Sequence, residues 1–170
     1  MADERELLLL GLLRQGRMHG YQLHEFIEAN LQTCVDLKKS TAYFLLERMA
    51  EAGWVRYDET REGRRPVRRE YSITEAGEQR FQALVRENLG QYHEVRFAGQ
   101  VGVMFLDALP RAEAVALLNK RLVALEAALR AVEAAPVHSG SLQLVIDHQI
   151  VHLRAELDWL RGVIASSAAD

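Results

Sequence analysis

The spacing of apolar residues changes character twice between Ser40 and Leu89, and that change limits the fold more than any other feature of the chain. In "STAYFLLERMAEAGWV", Ala42, Leu45, Leu46 and Met49 fall at i, i+3, i+4 and i+7, the single stripe of an amphipathic helix. Ser40 or a neighbour caps that helix and Gly53 stops it. In "WVRYDET" the period drops to two, with Val55 and Tyr57 alternating with charged residues, as in a half-buried strand. "REGRRPV" contains Gly63 and Pro66 and reads as a turn. Alternation then resumes, with Arg69, Tyr71 and Ile73 against Arg68, Glu70 and Ser72. Two strands around a short loop form a hairpin. Thr74 caps a following helix whose stripe is Phe81, Leu84, Val85 and Leu89.

Upstream, residues 5–14 are Leu-rich and suit a buried helix, which "GRMHG" breaks. "YQLHEFIEANL" spaces Leu23, Phe26, Ile27 and Leu31 at helical intervals. The order helix, helix, helix, strand, strand, helix is the winged helix-turn-helix arrangement, with a two-stranded wing. The expected class is therefore mainly α, with a winged N-terminal domain over 1–90 and a helical domain over 91–170.

The second half has heptad character. Phe97, Val101, Met104, Phe105 and Ala108 form one amphipathic stretch, and Pro110 suits a helix start. Val115, Leu118, Leu122, Leu125, Leu129 and Val132 step by threes and fours. After "PVHSGS" so do Ile146, Ile150, Leu153, Leu157, Leu160 and Ile164. The two seams either close on each other as a hairpin or join a second copy of the chain. The two seams, with Leu153, Leu157 and Leu160 on the second, and the Phe97–Leu109 stripe offer more apolar surface than one small winged domain can cover, which favours a homodimer.

Charge is unevenly spread. The whole chain carries a net -3, yet residues 38–69 hold nine Lys or Arg against five Asp or Glu. From residue 100 onward there are six against eight. A basic focus on a winged domain suits a polyanion. "REGRRPVRREY" packs Arg61, Arg64, Arg65, Arg68 and Arg69 into one stretch without lysine, and arginine suits phosphate forks and narrow grooves. Lys38 and Lys39 stand at the start of the third helix, where cations and backbone N–H groups bind phosphate. Ser40, Thr41 and Tyr43 follow in its first turns, the part of a recognition helix that meets base edges; the alternative for Tyr43 and Phe44 is core packing. His19 suits a phosphate contact or a helix-start hydrogen bond. Arg64 and Arg65 at the turn are expected to reach DNA, Arg61 and Arg68 are candidate contacts to its backbone, and Arg69 is expected to lie along the domain.

Other chemistry is sparse. No apolar run is long enough to cross a membrane, and no signal peptide is expected, so the chain reads as cytoplasmic. A single cysteine, Cys34, excludes an intramolecular disulfide and a cysteine-rich zinc site; it reads as an inert thiol, with a redox sensor as the alternative. His148 and His152 have metal-binding spacing without a third ligand of the same kind nearby, so no metal site is assigned. No phosphate loop, nucleophile elbow or carboxylate pair points to catalysis or to a cofactor.

Three stretches, "LLLLGLLRQGRMHGYQLHEFIE", "KKSTAYFLLERMAEAGWV" and "GRRPVRREYSITEAGEQRF", together resemble the PadR family of transcriptional regulators. The shared pattern is HGY at the second helix, T-x-Y followed by a Leu pair, Gly-Arg in the wing and Y-x-L/I-T-x-x-G after it. The resemblance covers roughly residues 5–90, and "HLRAELDWLRGVI" is similar to the family's closing helix. Ser40, Ala42 and Phe44 replace the Gly, Leu and Pro common there, so the recognition surface is this chain's own. The resemblance implies a homodimeric repressor of an inverted-repeat DNA operator, relieved by a small hydrophobic or phenolic effector. It also implies that Tyr21, Lys39, Thr41 and Tyr43 meet DNA, with Arg64 and Arg65 at the wing tip. The effector is expected near the dimer interface, with the Phe97–Phe105 segment and Trp159 as candidate walls; the alternative for those residues is plain interface packing. The rival reading is a winged-helix adaptor for protein partners without sequence-specific DNA binding.

Overall fold

A computed structural model describes residues 3–30, 37–60, 68–95 and 97–169. They fall in two compact units, Met1–Glu94 and Val95–Asp170. Leu31, Cys34, Arg61, Arg64 and Arg65, to which the sequence assigns roles, lie outside the described residues.

The N-terminal unit runs α1 (Glu4–Leu13), β1 (Met18–His19), α2 (Gly20–Asn30), α3 (Lys39–Glu51), β2 (Val55–Thr60), β3 (Arg68–Ile73) and α4 (Glu75–Gly90). Its core gathers Leu9, Leu10, Leu12 and Leu13 of α1, Leu23 and Ile27 of α2, and the whole α3 stripe. Val55, Tyr71 and Leu84 close it. Two expected stripe members face outward in the single chain, Phe26 and Leu89, the latter 80% exposed. Burial ends at Leu84 because the last turns of α4 pass beyond the packed body.

Local chemistry sets the helix ends. Gly53 adopts φ 74° and lets Trp54 N–H reach back to the Met49 carbonyl. Ser40 does not cap α3. The cap position is Lys38, in an extended conformation with no side-chain cap bond. Thr74 does cap α4: its hydroxyl accepts from Gly77 N–H at 3.0 Å. The same hydroxyl donates to the Gly53 carbonyl at 2.6 Å, with the Trp54 carbonyl 3.1 Å away. Thr74→Ala is expected to cost about 1–2 kcal/mol in urea unfolding, and Thr74→Ser to recover most of it.

The sheet has three antiparallel strands in the order β1-β3-β2. The stretch read as a simple helix break holds β1, with Met18 opposite Tyr71 and His19 opposite Glu70. In the hairpin, Val55 faces Ile73, Tyr57 faces Tyr71 and Glu59 faces Arg69. One face of the hairpin therefore starts apolar in the core and becomes charged as the strands leave it. On the other face Asp58 opposes Glu70. Arg17, 3.0 Å from Asp58 and 3.8 Å from Glu70, offsets that like-charge pair.

The second unit contains α5 (Gln100–Met104), a 3-10 turn (Leu106–Ala108), α6 (Arg111–Glu133) and α7 (Ser141–Ala169), with Pro110 as the cap of α6. The two heptad seams close on each other. Ala114 and Leu118 of α6 and Leu157 and Leu160 of α7 are buried within the single chain. Arg111 bonds the Ser167 carbonyl at 2.5 Å and Arg154 bonds Glu133 at 2.7 Å, so the helices run antiparallel. The start of α7 runs past the end of α6, leaving Leu144 and Val145 exposed.

Candidate functional site

The basic face of the N-terminal unit is built from the first turns of α2 and α3 and the outer half of the wing strands. Lys38, Lys39 and Ser40 are exposed and Thr41 is half-buried. Among the described residues, no side chain caps the first N–H groups of α3, the kind of helix start that accepts an anion. Tyr43 lies on the next turn, 36% exposed, and is neither core nor free-standing. A Cβ on Gly20 would stand 2.7 Å from the edge of its ring, so only glycine there lets the ring lie against the start of α2. Phe44 is exposed as well, with Arg48 above its ring.

A groove of about 410 Å³ runs between α3 and the wing. It brings together three sequence-assigned residues, Tyr21, Tyr43 and Arg68, with His19, Gly20, Glu47, Glu59, Arg69 and Tyr71. Tyr21 stacks on His19 with ring centroids 5.6 Å apart, and the Arg68 guanidinium sits 5.2 Å above Tyr21. The His19 N–H donates to Gln22 Oε1, the helix-start bond, while its Nδ1 lies 3.3 Å from the Arg69 carbonyl. Lys38, Lys39, Ser40 and Thr41 are not in the groove lining.

Arg69 is engaged on several sides at once. Its guanidinium lies 4.4 Å from the centre of the Tyr57 ring and donates to Glu47 Oε1 at 3.3 Å and Glu59 Oε1 at 3.5 Å. Its interaction with Tyr71 raises its pKa above the ordinary value. Burial pushes the Tyr71 hydroxyl upward in turn, against the pull of Arg69. The strand alternation places Arg69 on the Tyr71 face, but Glu47 has no local signal. It is one turn beyond Tyr43 on α3 and meets Arg69 only across the tertiary fold.

The second unit has its own cleft, of about 520 Å³. Phe97, Leu153 and Trp159 line it, together with Gln100, Arg121, Leu125, His152 and Glu156. Arg121 lies 5.7 Å from the Trp159 ring centre and bonds Glu156. Val101, Met104 and Phe105 are strongly exposed and do not line this cleft. His148 and His152 meet edge to face at 4.9 Å. Among the described residues, no group of three or more His, Cys, Asp or Glu forms a metal cage, and no helix is long and apolar enough to cross a membrane.

The model of the Transcriptional regulator PadR-like family matches residues 9–83. The Negative transcriptional regulator PadR of Bacillus subtilis is 25% identical over 114 residues, which is 67% of this chain and 63% of that protein, under two thirds of its length. The crystal structure of Bacillus subtilis PadR with operator DNA has a TM-score of 0.82 at 22% identity, covering 95% of this chain and 98% of that one. The same regulator with p-coumaric acid has a TM-score of 0.73 at 21% identity, covering 97% and 96%. A PadR-like transcriptional regulator of Bacillus cereus has a TM-score of 0.72 at 17% identity, covering 97% and 98%. At such identities the likeness is one of fold.

Proposed function

Residues 9–83 belong to the PadR-like family of transcriptional regulators, and from that premise we propose that the protein is a sequence-specific DNA-binding repressor, active as a homodimer in the cytoplasm and released by a small phenolic or hydrophobic effector. The observation that carries this reading is the uncapped, lysine-flanked start of α3 beside a wing groove that holds Tyr21, Tyr43 and Arg68. An uncapped helix end with cations around it is a phosphate site, and a hydrogen-bonding side chain on the next turn can read a base edge. Two such heads in a two-fold dimer address half-sites about 34 Å apart.

Exposed apolar groups on the second unit favour dimerisation. Val101, Met104 and Phe105 are 63–74% exposed in the single chain, whereas much of the α6 and α7 seams is covered intramolecularly. The apolar face available to a second copy is therefore α5 and the outer side of α7. The effector is assigned to the cleft of Phe97, Leu153 and Trp159. Two aromatic walls and a guanidinium suit a planar ring bearing a hydroxyl or carboxyl group. The p-coumaric acid complex of the Bacillus subtilis regulator supplies a ligand of that chemistry to try.

A gel-shift titration on duplex DNA from upstream of its own coding sequence tests the proposal. Binding should fall steeply as salt is raised from about 50 to about 200 mM, and p-coumaric acid should weaken it. Tyr43→Ala should lower the preference for that duplex over unrelated DNA roughly 10-fold, the scale of one base-edge hydrogen bond, with non-specific affinity held. Equal weakening on both duplexes would move Tyr43 to the backbone. Only non-specific affinity at every salt would favour a protein-interaction adaptor.

A further inference from the structure

Glu47 presents a problem for a DNA-binding helix. It lies on the same side of α3 as Tyr43, in the groove between that helix and the wing, and is 62% exposed. A carboxylate there repels phosphate. Glu59, 56% exposed, stands beside it on β2. Both are held by one guanidinium, that of Arg69, whose plane also covers Tyr57. Arg69 thereby ties together α3, β2 and β3. The planar fork suits this, since it can donate in two directions while its face rests on a ring; an ammonium group cannot do so.

We propose that Arg69 is a positioning residue for DNA recognition, fixing the wing at one angle to α3 by joining Glu47 to Glu59 while keeping both carboxylates away from phosphate. This rests on the DNA-binding reading above. It assigns different work to two adjacent arginines. Arg68 leaves the opposite strand face and lies above Tyr21, whereas Arg69 binds Glu47 and Glu59. It also makes Glu47 a favourable residue although its charge has the wrong sign for DNA.

Glu47→Gln, Arg69→Lys and Arg69→Gln test the proposal in the full chain. Affinity for the upstream duplex and for an unrelated duplex of equal length is measured over a salt series. Backbone hydrogen exchange in β2 and β3 is followed without DNA. Glu47→Gln should leave unrelated DNA bound as well or better, yet reduce discrimination roughly 3- to 10-fold, the scale of an exposed ion-pair network with a cation–π contact. Arg69→Lys should do the same with an unchanged salt slope. Exchange at residues 59, 60 and 68–70 should quicken by a similar factor in Glu47→Gln and Arg69→Gln. A salt slope about 0.9 shallower in Arg69→Gln, with equal weakening on both duplexes, would make Arg69 a phosphate contact and overturn the proposal. So would tighter binding of Glu47→Gln to both duplexes alike, or unchanged exchange in both variants. Wild-type protein that does not distinguish the duplexes would instead sink the DNA-recognition reading, leaving the exchange data to decide whether the strut exists.

Discussion

Gly77→Ala is expected to lower the melting temperature of the N-terminal unit by roughly 12–24 °C, from a cost of about 3 kcal/mol at about 4–8 °C per kcal/mol for a unit of this size. Gly77 is buried in the first turn of α4. A Cβ there would press into the Trp54 carbonyl oxygen, 2.9 Å from the carbonyl carbon and 2.8 Å from Cγ1 of Ile73. The carbonyl cannot retreat cheaply. It accepts from Thr74 N–H at 3.0 Å, and the Thr74 hydroxyl that caps α4 lies 3.1 Å away, so moving it loosens that bond and disturbs the cap. Helix propensity alone predicts the opposite sign, since alanine gains about 1 kcal/mol over glycine in a helix interior. Gly90→Ala, in the same helix with nothing within 4 Å of the new methyl, serves as the control and should be neutral or slightly stabilising. Thermal melting by circular dichroism reads both. A Gly77→Ala protein as stable as the wild type would mean that the junction of β2, β3 and α4 can shift without cost.

Replacing Lys38 and Lys39 together by Ala should weaken binding to every duplex roughly 60-fold at about 0.1 M salt and flatten the log–log salt slope by about 1.8 units, about 0.9 for each phosphate that is no longer neutralised. Both lysines are exposed at the uncapped start of α3, and neither side chain packs into the core. Stability should therefore change little, which separates weaker phosphate binding from unfolding. Discrimination between upstream and unrelated DNA should survive, because phosphate contacts carry register and not sequence. This is the reverse of the pattern expected for Tyr43 and for the Arg69 strut. A slope unchanged within about half a unit would remove both lysines from the phosphate backbone.

The features legible from sequence share one property: their causes lie within a few residues. The α3 stripe, the Gly53 stop, the Thr74 cap and the alternation on both sides of the wing follow from local spacing, and the structure contains all of them. Hidden features depend on residues far apart in the chain. β1 is two residues long and exists because β3, some fifty positions later, offers it an edge. Ser40 has the right chemistry for a cap, but the chain enters α3 too early for it to serve. The heptad steps marked Leu157 and Leu160 as seam positions correctly; periodicity says that a face is covered, not what covers it.

The same division runs through the candidate interface. The sequence alone determined a winged domain with a basic focus. Helical spacing and alternation put Tyr43 and Arg68 forward as candidate contacts, because they fix which way a side chain leaves the backbone, and the family resemblance added Tyr21. Only the tertiary structure decided that Gly20 leaves room for the Tyr43 ring and that Arg69 belongs to Glu47 and Glu59. Gly20 meets Tyr43 and Arg69 meets Glu47 across more than twenty residues, and Glu59 reaches Arg69 across the hairpin. Their geometry depends on how the core packs α2, α3 and the wing together, which no local period encodes.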